Sequence, residues 1–357
     1  MEKSMEQIKV EKERREKLLR EKPYVMEKLL KYAEREAKGE NIPLIEFIYD
    51  HKCNMKCSHC ANAKFAVKER AITPNDVADV SRQADELGLA QFSISGGEPL
   101  LFDDLDEVIK AINPQKFHIS ISTNGYYLTL EKARHLKEIG VDKVKISLDS
   151  IDKDVYEQTR LNTESYDKAI QALFNAKEAG LQAVVQTVIS HQNCRTPATE
   201  KLAMFCEKNG FNMDIMVAKA IGRWEGKEDV LIDTEDAKYL EELHEKYPMV
   251  HRDTFPTYGQ KDGTCGTVKK LLFITKYGDA LPCGFIHISI GNIFEESLKD
   301  IIERGASIKF FANRTPVCLS GENRYFIKNY MSKFYGKPIP ISYKDAFNED
   351  DYIKKGV

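Results

Sequence analysis

Six short apolar segments alternate with amphipathic segments between residues 44 and 217, and this alternation limits the possible folds more than any other feature. The strand candidates are rich in β-branched residues and span 44–49, 91–95, 117–122, 143–148, 183–189 and 212–217. Helix candidates lie at 74–87, 105–112, 130–140, 166–180 and 198–210, and several end at glycine, a usual helix stop. Such alternation predicts parallel βα units. Six units predict a partial (β/α)6 barrel in an α/β chain.

Three cysteines follow the first strand with the spacing C-x3-C-x2-C, at Cys53, Cys57 and Cys60. Three thiolates on one short loop can hold a [4Fe–4S] cluster and leave one iron open for an outside ligand. A structural zinc site would require four protein ligands. The alternative is therefore a zinc loop in which His51 or His59 supplies the fourth ligand.

The other unusual loops also follow strands. Because the carboxyl ends of barrel strands form the active face, we expect these loops to converge there. They are Gly96-Gly97-Glu98-Pro99 after the second strand, Ser122-Thr123-Asn124 at the third, Ser147 and Asp149 at the fourth, and Ser190–Cys194 after the fifth.

A second group of cysteines consists of Cys265, Cys283 and Cys318. Residues 271–283 predict a β-hairpin with its turn at Tyr277-Gly278-Asp279, which would bring Cys265 and Cys283 together. No cysteine follows Cys318, so either an iron stays open or a side chain such as His287 completes the site. Buried free thiols and a zinc site are the alternatives.

Composition excludes several classes of protein. The net charge of −3 gives no basic field for nucleic acid. No secretory signal and no apolar run of about 18 residues is visible, so no membrane association is expected. Metal-type cysteine spacing suits a reducing compartment, and we expect a soluble cytoplasmic protein. The expected units are a charged helical N-terminal extension (1–41), the barrel (42–225), a connector (226–260) and a cysteine-bearing unit with the tail (261–357).

The cysteine loop, the GGEP turn and the partial barrel together resemble the radical SAM superfamily over roughly residues 42–225. The resemblance implies that the open iron binds the amino and carboxylate groups of S-adenosylmethionine. One electron, from an external donor such as flavodoxin or ferredoxin, then cleaves the sulfonium. The resulting 5′-deoxyadenosyl radical takes a hydrogen atom from the substrate, while the protein supplies ligation and orientation.

The resemblance also assigns cofactor-binding residues. The turn of Gly96, Gly97, Glu98 and Pro99 would contact the methionine amino group, since glycines allow close backbone approach. Arg160 would neutralise the methionine carboxylate, although a solvated surface arginine is the alternative. His59 would pack near the adenine, or be a simple loop residue. The segments expected to hold the ribose and methionine contain Ser122, Thr123, Asn124, Ser147 and Asp149.

The C-terminal unit resembles the shortened SPASM-like module called the twitch domain, a small α+β unit with an auxiliary cluster. The chain lacks the C-x2-C-x5-C run of the longer module. One auxiliary [4Fe–4S] cluster, held by Cys265, Cys283 and Cys318, is therefore expected.

Two cysteines and one tryptophan remain. Cys206 has the apolar phase of a helix core residue. Cys194 lies just past the fifth strand, where a thiol could donate a hydrogen atom to a substrate radical or be an ordinary loop residue. Arg223-Trp224-Glu225 follows the sixth strand and would contact substrate or pack on the second unit.

The sequence leaves the substrate open. We expect an oxidoreductase that modifies a peptide or natural-product intermediate by epimerisation, cross-linking or oxidation. An aminosugar or cyclitol dehydrogenase is the alternative, and a non-catalytic iron–sulfur electron-transfer protein is an alternative of another class. The molybdenum-cofactor cyclases, which also have a three-cysteine auxiliary cluster, are set aside because the chain lacks their terminal di-glycine and their close C-x2-C pair.

Overall fold

The computed structural model describes residues 5–62, 64–252, 254, 263–313 and 315–354, with side chains described from residue 12 onward. Within these residues, no helix combines the length and the apolar character that a membrane crossing requires.

The six expected strands form consecutive parallel neighbours in one sheet. Each strand begins and ends within one residue of its predicted bounds, and the partial-barrel prediction is confirmed. The strands are β1 (Leu44–Asp50), β2 (Gln91–Gly96), β3 (His118–Thr123), β4 (Lys143–Ser147), β5 (Gln182–Ile189) and β6 (Asn212–Val217).

Helices connect these strands, as the sequence predicts, and two of them were not predicted as helices. They are α4 (Pro74–Glu86), α5 (Leu105–Ile112), α6 (Leu130–Glu138), α7 (Lys153–Arg160), α8 (Ser165–Glu178), α9 (His191–Cys194) and α10 (Pro197–Asn209). These are the four-residue α9 and α7; the N-cap of α7 is Asp152, and its last turn carries Arg160. Its apolar residues are too few for a clear helical period, so packing and capping decide its structure.

The N-terminal extension forms three helices, α1 (Met5–Glu21), α2 (Pro23–Leu30) and α3 (Tyr32–Ala37). The charged sequence of the extension does not reveal that α2 is partly buried, with Val25 and Met26 in the interior. Basic side chains of the extension reach the carboxyl ends of barrel helices. Lys17 Nζ donates to Gly180 O at 3.0 Å and Lys22 Nζ donates to Gly140 O at 2.8 Å. The extension therefore packs across the amino end of the barrel.

The connector contains α11 (Thr234–Lys246) and β7 (Val250–Arg252), and β7 pairs in parallel with β6. The C-terminal unit contains the strands β8 (Leu271–Thr275), β9 (Asp279–Leu281), β10 (Ile288–Ser289), β11 (Gly291–Asn292) and β12 (Ile341–Ser342). Its helices are α12 (Leu298–Ser307), α13 (Lys309–Ala312), α14 (Arg324–Asn329) and α15 (Tyr343–Ala346).

The predicted hairpin is present, since β8 and β9 pair antiparallel around Gly278, whose φ is +79°. β8 also pairs in parallel with β1 over five residue pairs, from Leu44 opposite Leu271 to Ile48 opposite Thr275. The strand order is therefore β11-β9-β8-β1-β2-β3-β4-β5-β6-β7, one ten-stranded sheet. Both cysteine groups are consequently attached to the same sheet.

Candidate active site

The first cysteine loop leaves the carboxyl end of β1, at the active face of the barrel. All three of its cysteines are free thiols. Burial raises the pKa of Cys53 to about 11 and also raises the pKa of Cys60. Metal ligation requires thiolates, so binding of iron would release these protons. The loop is anchored from both sides, since Ser58 N donates to Thr159 O at 3.0 Å and Arg223 N donates to Cys60 O at 3.1 Å.

The GGEP turn at the end of β2 packs directly against the start of the cysteine loop. Gly97 N donates to Asp50 O at 2.7 Å, and Glu98 N donates to Lys52 O at 2.8 Å. A Cβ added to Gly96 would lie 2.2 Å from Asp50 O, and one added to Gly97 would lie 2.1 Å from Lys52 O. Only glycine fits at both positions, so these residues set the approach of the two loops.

The Glu98 side chain connects the GGEP turn to the loop after β3. It is fully buried, and its carboxyl accepts hydrogen bonds from Thr123 Oγ1 at 2.6 Å, Asn124 N at 2.7 Å and Leu100 N at 3.1 Å. Burial raises the pKa of Glu98 to about 7 although these three donors favour the ionised form. The carboxyl and the Thr123 hydroxyl are thus engaged with each other. Asn124 reaches the cysteine loop, where its Nδ2 donates to Asn54 Oδ1 at 2.8 Å.

A buried ion pair lies between β4 and α7. Arg160 Nε is 2.7 Å from Asp149 Oδ2, and the side chains are 8% and 4% exposed. Burial alone would raise the pKa of Asp149, but the Arg160 guanidinium holds it below its ordinary value. Arg160 Nη1 also lies 3.7 Å from Cys57 Sγ. The structure therefore places Arg160 beside the first cysteine triad and not on the solvated surface.

Two histidines of the cysteine loop have ring nitrogens without hydrogen-bond partners. His59 Nδ1 is buried and unpartnered, and burial lowers the pKa of His59 to about 4. Its ring centroid is 5.7 Å from that of Trp224. His51 stacks on Phe65 at 5.1 Å, and both of its ring nitrogens lack partners.

The second cysteine triad gathers around the β8–β9 hairpin. Burial, followed by the nearby Cys318, raises the pKa of Cys265 to about 11. Burial, followed by Cys318 and Cys265, also raises the pKa of Cys283. Each thiol therefore lies in the electrostatic range of the others. Cys265 N donates to Thr315 O at 2.8 Å, and Cys318 Sγ is 3.5 Å from Ser320 Oγ.

The thiols of each triad are spaced too widely for one zinc ion. In the described part of the chain, one group of three potential metal ligands has all its ligand atoms within 4.8 Å of one another. It consists of His191, Asp233 and Asp236. Neither cysteine triad is that compact. Three sulfurs bound to one tetrahedral zinc at about 2.3 Å would be only about 3.8 Å apart. Unpartnered polar atoms beside both triads also fit a bound group.

The remaining predicted residues differ from one another in how deeply they are buried. Pro99 is buried, and Ser122 and Ser147 are half-buried at the ends of β3 and β4. Cys194 is fully buried, with its Sγ 3.6 Å from Asp236 O. This burial weighs against hydrogen donation, which stays a prediction. His287 packs against Phe65 at 4.9 Å and its Nε2 has no partner, so ligation by His287 also stays a prediction.

Sequence reasoning missed Lys219, which follows β6. Its Nζ is buried without a hydrogen-bond partner and lies 4.3 Å from the centroid of the Phe285 ring. A single lysine after a strand has no motif, so only the fold identifies it. The Arg223-Trp224 pair was noted, and the structure places it against Cys60 and His59.

Two families match the chain. Residues 48–193 match the Radical SAM superfamily, and residues 265–320 match SPASM, an iron–sulfur cluster-binding domain. The families imply a [4Fe–4S] cluster with S-adenosylmethionine and an auxiliary iron–sulfur cluster, as the sequence predicts.

Similar curated proteins are named probable GTP 3′,8-cyclases. One from Methanocella arvoryzae is 34% identical over 149 residues, which are 42% of this chain and 48% of that protein. One from Methanococcus maripaludis strain C7 is 32% identical over 183 residues, 50% of this chain and 59% of that protein. The chain spans about half the length of the curated relatives it matches.

These names contradict the expected substrates. The prediction of peptide or natural-product modification is wrong, and so is the aminosugar or cyclitol alternative, because the relatives are named for a cyclisation of GTP. Setting aside the cyclases because of a missing di-glycine and a missing C-x2-C pair gave these two features too much weight. The oxidoreductase class is likewise not supported by these names.

Solved structures share the fold. Streptococcus suis SuiB bound to S-adenosylmethionine has a TM-score of 0.58 at 19% identity, covering 77% of this chain and 69% of that chain. Native anSMEcpe with bound AdoMet has a TM-score of 0.58 at 19% identity, covering 73% and 80%. With both families matched, the chain belongs to the radical SAM superfamily and carries a C-terminal SPASM-type, or twitch, iron–sulfur domain.

Proposed function

We propose that this chain is a radical SAM enzyme that acts on a purine nucleotide at the carboxyl end of its barrel. The cluster and S-adenosylmethionine supply the 5′-deoxyadenosyl radical that takes a hydrogen atom from the substrate. Cys53, Cys57 and Cys60 would hold that cluster. A one-electron donor of the flavodoxin or ferredoxin type would reduce it.

The chain's own residues would bind and orient the cofactor. The Gly96–Gly97 backbone, held against the cysteine loop, would line the methionine, and Pro99 fixes the turn. Arg160, already held by Asp149, is placed to donate to a carboxylate near Cys57. Residues around the ribose would come from the ends of β3 and β4: Ser122, Thr123, Asn124 and Ser147. His59 would face the adenine, and its unpartnered Nδ1 is available to accept or donate one hydrogen bond.

The observation that carries the nucleotide assignment is the turn of Gly222, Arg223 and Trp224 on the cysteine loop. A Cβ on Gly222 would lie 2.1 Å from Cys60 O, so the turn touches the loop directly. Arg223 is exposed there, and the structure gives its side chain no ion-pair partner among the described residues. A free guanidinium beside an aromatic face fits a phosphate and a base. The names of the relatives support GTP as the first nucleotide to test.

Anaerobically reconstituted protein tests the proposal, with formation of 5′-deoxyadenosine as the readout. We expect dithionite and S-adenosylmethionine to give slow formation that GTP accelerates at least tenfold, while guanosine without phosphates does so less. Cys57→Ala should abolish formation with or without GTP. Formation in the wild type that no nucleotide accelerates would overturn the substrate class and leave the radical chemistry intact.

Arg223→Met separates binding from chemistry. We expect its KM for the nucleotide to rise at least tenfold with a smaller change in kcat, as for a phosphate contact that is present before reaction. Arg134→Met is the matched control, because Arg134 is an exposed arginine paired with Glu178 on the outside of the barrel. Equal effects of the two variants would contradict the assignment of Arg223.

A further inference from the structure

Lys219 is a buried cation that the described protein groups leave without a hydrogen bond. Only 6% of the residue is exposed, and its Nζ has no hydrogen-bond partner. The nearest described feature is the face of Phe285, 4.3 Å from the ammonium to the ring centroid. An aromatic face compensates only part of the lost hydration of an ammonium, so a stronger acceptor is needed.

The fold directs Lys219 toward the second cysteine triad. The two residues before it, Val217 and Ala218, contact Gly321, where an added Cβ would be 2.8 Å from Val217, 3.1 Å from Ala218 O and 3.6 Å from Cys318 Sγ. Phe285 follows Cys283 by two residues. The ammonium therefore lies over a ring that is two residues from Cys283, and it follows a strand end that packs beside Gly321 and Cys318.

We propose that Lys219 donates a hydrogen bond to a sulfur of the auxiliary cluster and raises its reduction potential. A [4Fe–4S]2+ core with three thiolates carries a formal charge of −1, and one-electron reduction makes it −2. A fixed cation in a water-poor site stabilises the second state more than the first. The proposal depends on the auxiliary cluster and is independent of the nucleotide substrate.

The reduction potential is measured directly, without turnover. The full chain would carry Cys53→Ala, Cys57→Ala and Cys60→Ala, so that the auxiliary cluster alone gives the EPR signal during a potentiometric titration with dithionite. At the midpoint potential of this parent, we expect Lys219→Met to lower the ratio of reduced to oxidised cluster at least tenfold, a shift of about 59 mV for one electron. Lys219→Arg should stay within about threefold.

Two further variants serve as a control and as a replacement for Lys219→Met. Lys168→Met removes an exposed lysine on α8 and should leave the potential unchanged. If Lys219→Met fails to retain iron and sulfide, the neutral donor Lys219→Gln replaces it, and a potential for Gln equal to that for Arg overturns the proposal. A full cluster in Lys219→Met with the parent's midpoint also overturns it. In the chain with both clusters, a raised KM for nucleotide with an unshifted potential would assign Lys219 to substrate instead.

Discussion

The two ends of the barrel differ in how their buried polar groups are satisfied. At the amino end, the N-terminal extension supplies cations to the carbonyls where barrel helices finish. Lys17 Nζ donates to Gly180 O, Lys22 Nζ donates to Gly140 O, and Arg35 Nη1 donates to Gly88 O at 2.8 Å. Cations are favourable at helix carboxyl ends, so this end of the barrel is completed by its own chain.

At the carboxyl end, the described residues leave several buried polar groups without such partners. Buried nitrogens of His51, His59, Lys219 and His287 have no hydrogen-bond partner there. Native proteins satisfy nearly all buried polar groups, so several unsatisfied groups in one region indicate ligands.

The size of a cavity does not locate the active site in this protein. The large cavity, about 1030 Å³, lies between the extension and the starts of the strands, where Lys143 and His118 are among the lining residues. No described polar atom that lines it is both buried and without a hydrogen-bond partner. The comparison teaches that unsatisfied chemistry locates this active site and that empty volume does not.

The largest expected effect is at the carboxyl end. In Gly97→Ala the new Cβ would lie 2.1 Å from Lys52 O, so the backbone of the cysteine loop must move. We expect the loss of the first cluster, about half of the bound iron, and a fall of 5′-deoxyadenosine formation by about 100-fold or more. Iron and sulfide counts after reconstitution measure this. Gly336→Ala, at φ +70° with nothing within 4 Å, controls for backbone strain alone; a similar loss of iron there would contradict the prediction.

The next effect is at the amino end and concerns stability. Lys22 Nζ is 2.5 Å from Asp142 Oδ2 and also donates to Phe117 O and Gly140 O. Lys22→Met leaves a buried carboxylate unpaired, and we expect the free energy of unfolding to fall by about 3–5 kcal/mol. Denaturant titration measures this, with the exposed Lys31→Met as a control that should change the free energy of unfolding little. Activity per folded molecule should be unchanged; a selective loss of activity would remove the distinction between the two ends.

A pH effect follows from Glu98. Its pKa is raised to about 7 by burial, so the folded state binds this proton more tightly than the unfolded state, in which the pKa is about 4.5. The stabilising contribution is present below about pH 4.5 and is lost as the pH rises to about 7, amounting to about 3 kcal/mol. Glu98→Gln should therefore flatten the pH dependence of unfolding of the cluster-free chain across this window. Parallel curves for wild type and variant would show that the three donors keep Glu98 ionised.

The smallest expected effect returns to the amino end. Arg35 donates to Gly88 O and to Leu87 O and pairs with Glu40 at 2.7 Å, in a half-buried setting. We expect Arg35→Met to lower the free energy of unfolding by about 1 kcal/mol. Lys38→Met, which removes only an exposed pair with Glu34, should cost less. A cost above that of Lys22→Met would contradict the ranking.

The central fold could be read from the sequence because local signals agreed. Strand bounds matched to within one residue where β-branched runs alternate with helices that end at glycine. The α7 helix was missed because its structure depends on Asp152 as a cap and on the packing of Tyr156, which is fully buried. Burial of the extension was missed because a charged sequence hides contacts such as Lys22 with Asp142, which are 120 residues apart.

The site was predictable where spacing is strict and unpredictable where the fold assembles it. The two cysteine triads and the GGEP turn have recognisable patterns. Lys219 has none, since its meaning comes from the strand end beside Gly321 and from Phe285. The substrate could not be deduced, because recognition depends on a few side chains, such as Arg223, that follow no general pattern.

The pairing of β8 with β1 has a consequence for any exchange of parts between proteins of this kind. The C-terminal unit covers the edge of β1 with a strand of its own, in a register of five residue pairs. A chain cut before β8 would expose that edge, which is a template for aggregation. A transplanted C-terminal unit would also have to reproduce the register, because a slip of one residue turns every side chain of β8 to the other face. The C-terminal unit therefore has to be exchanged together with the barrel edge that it covers.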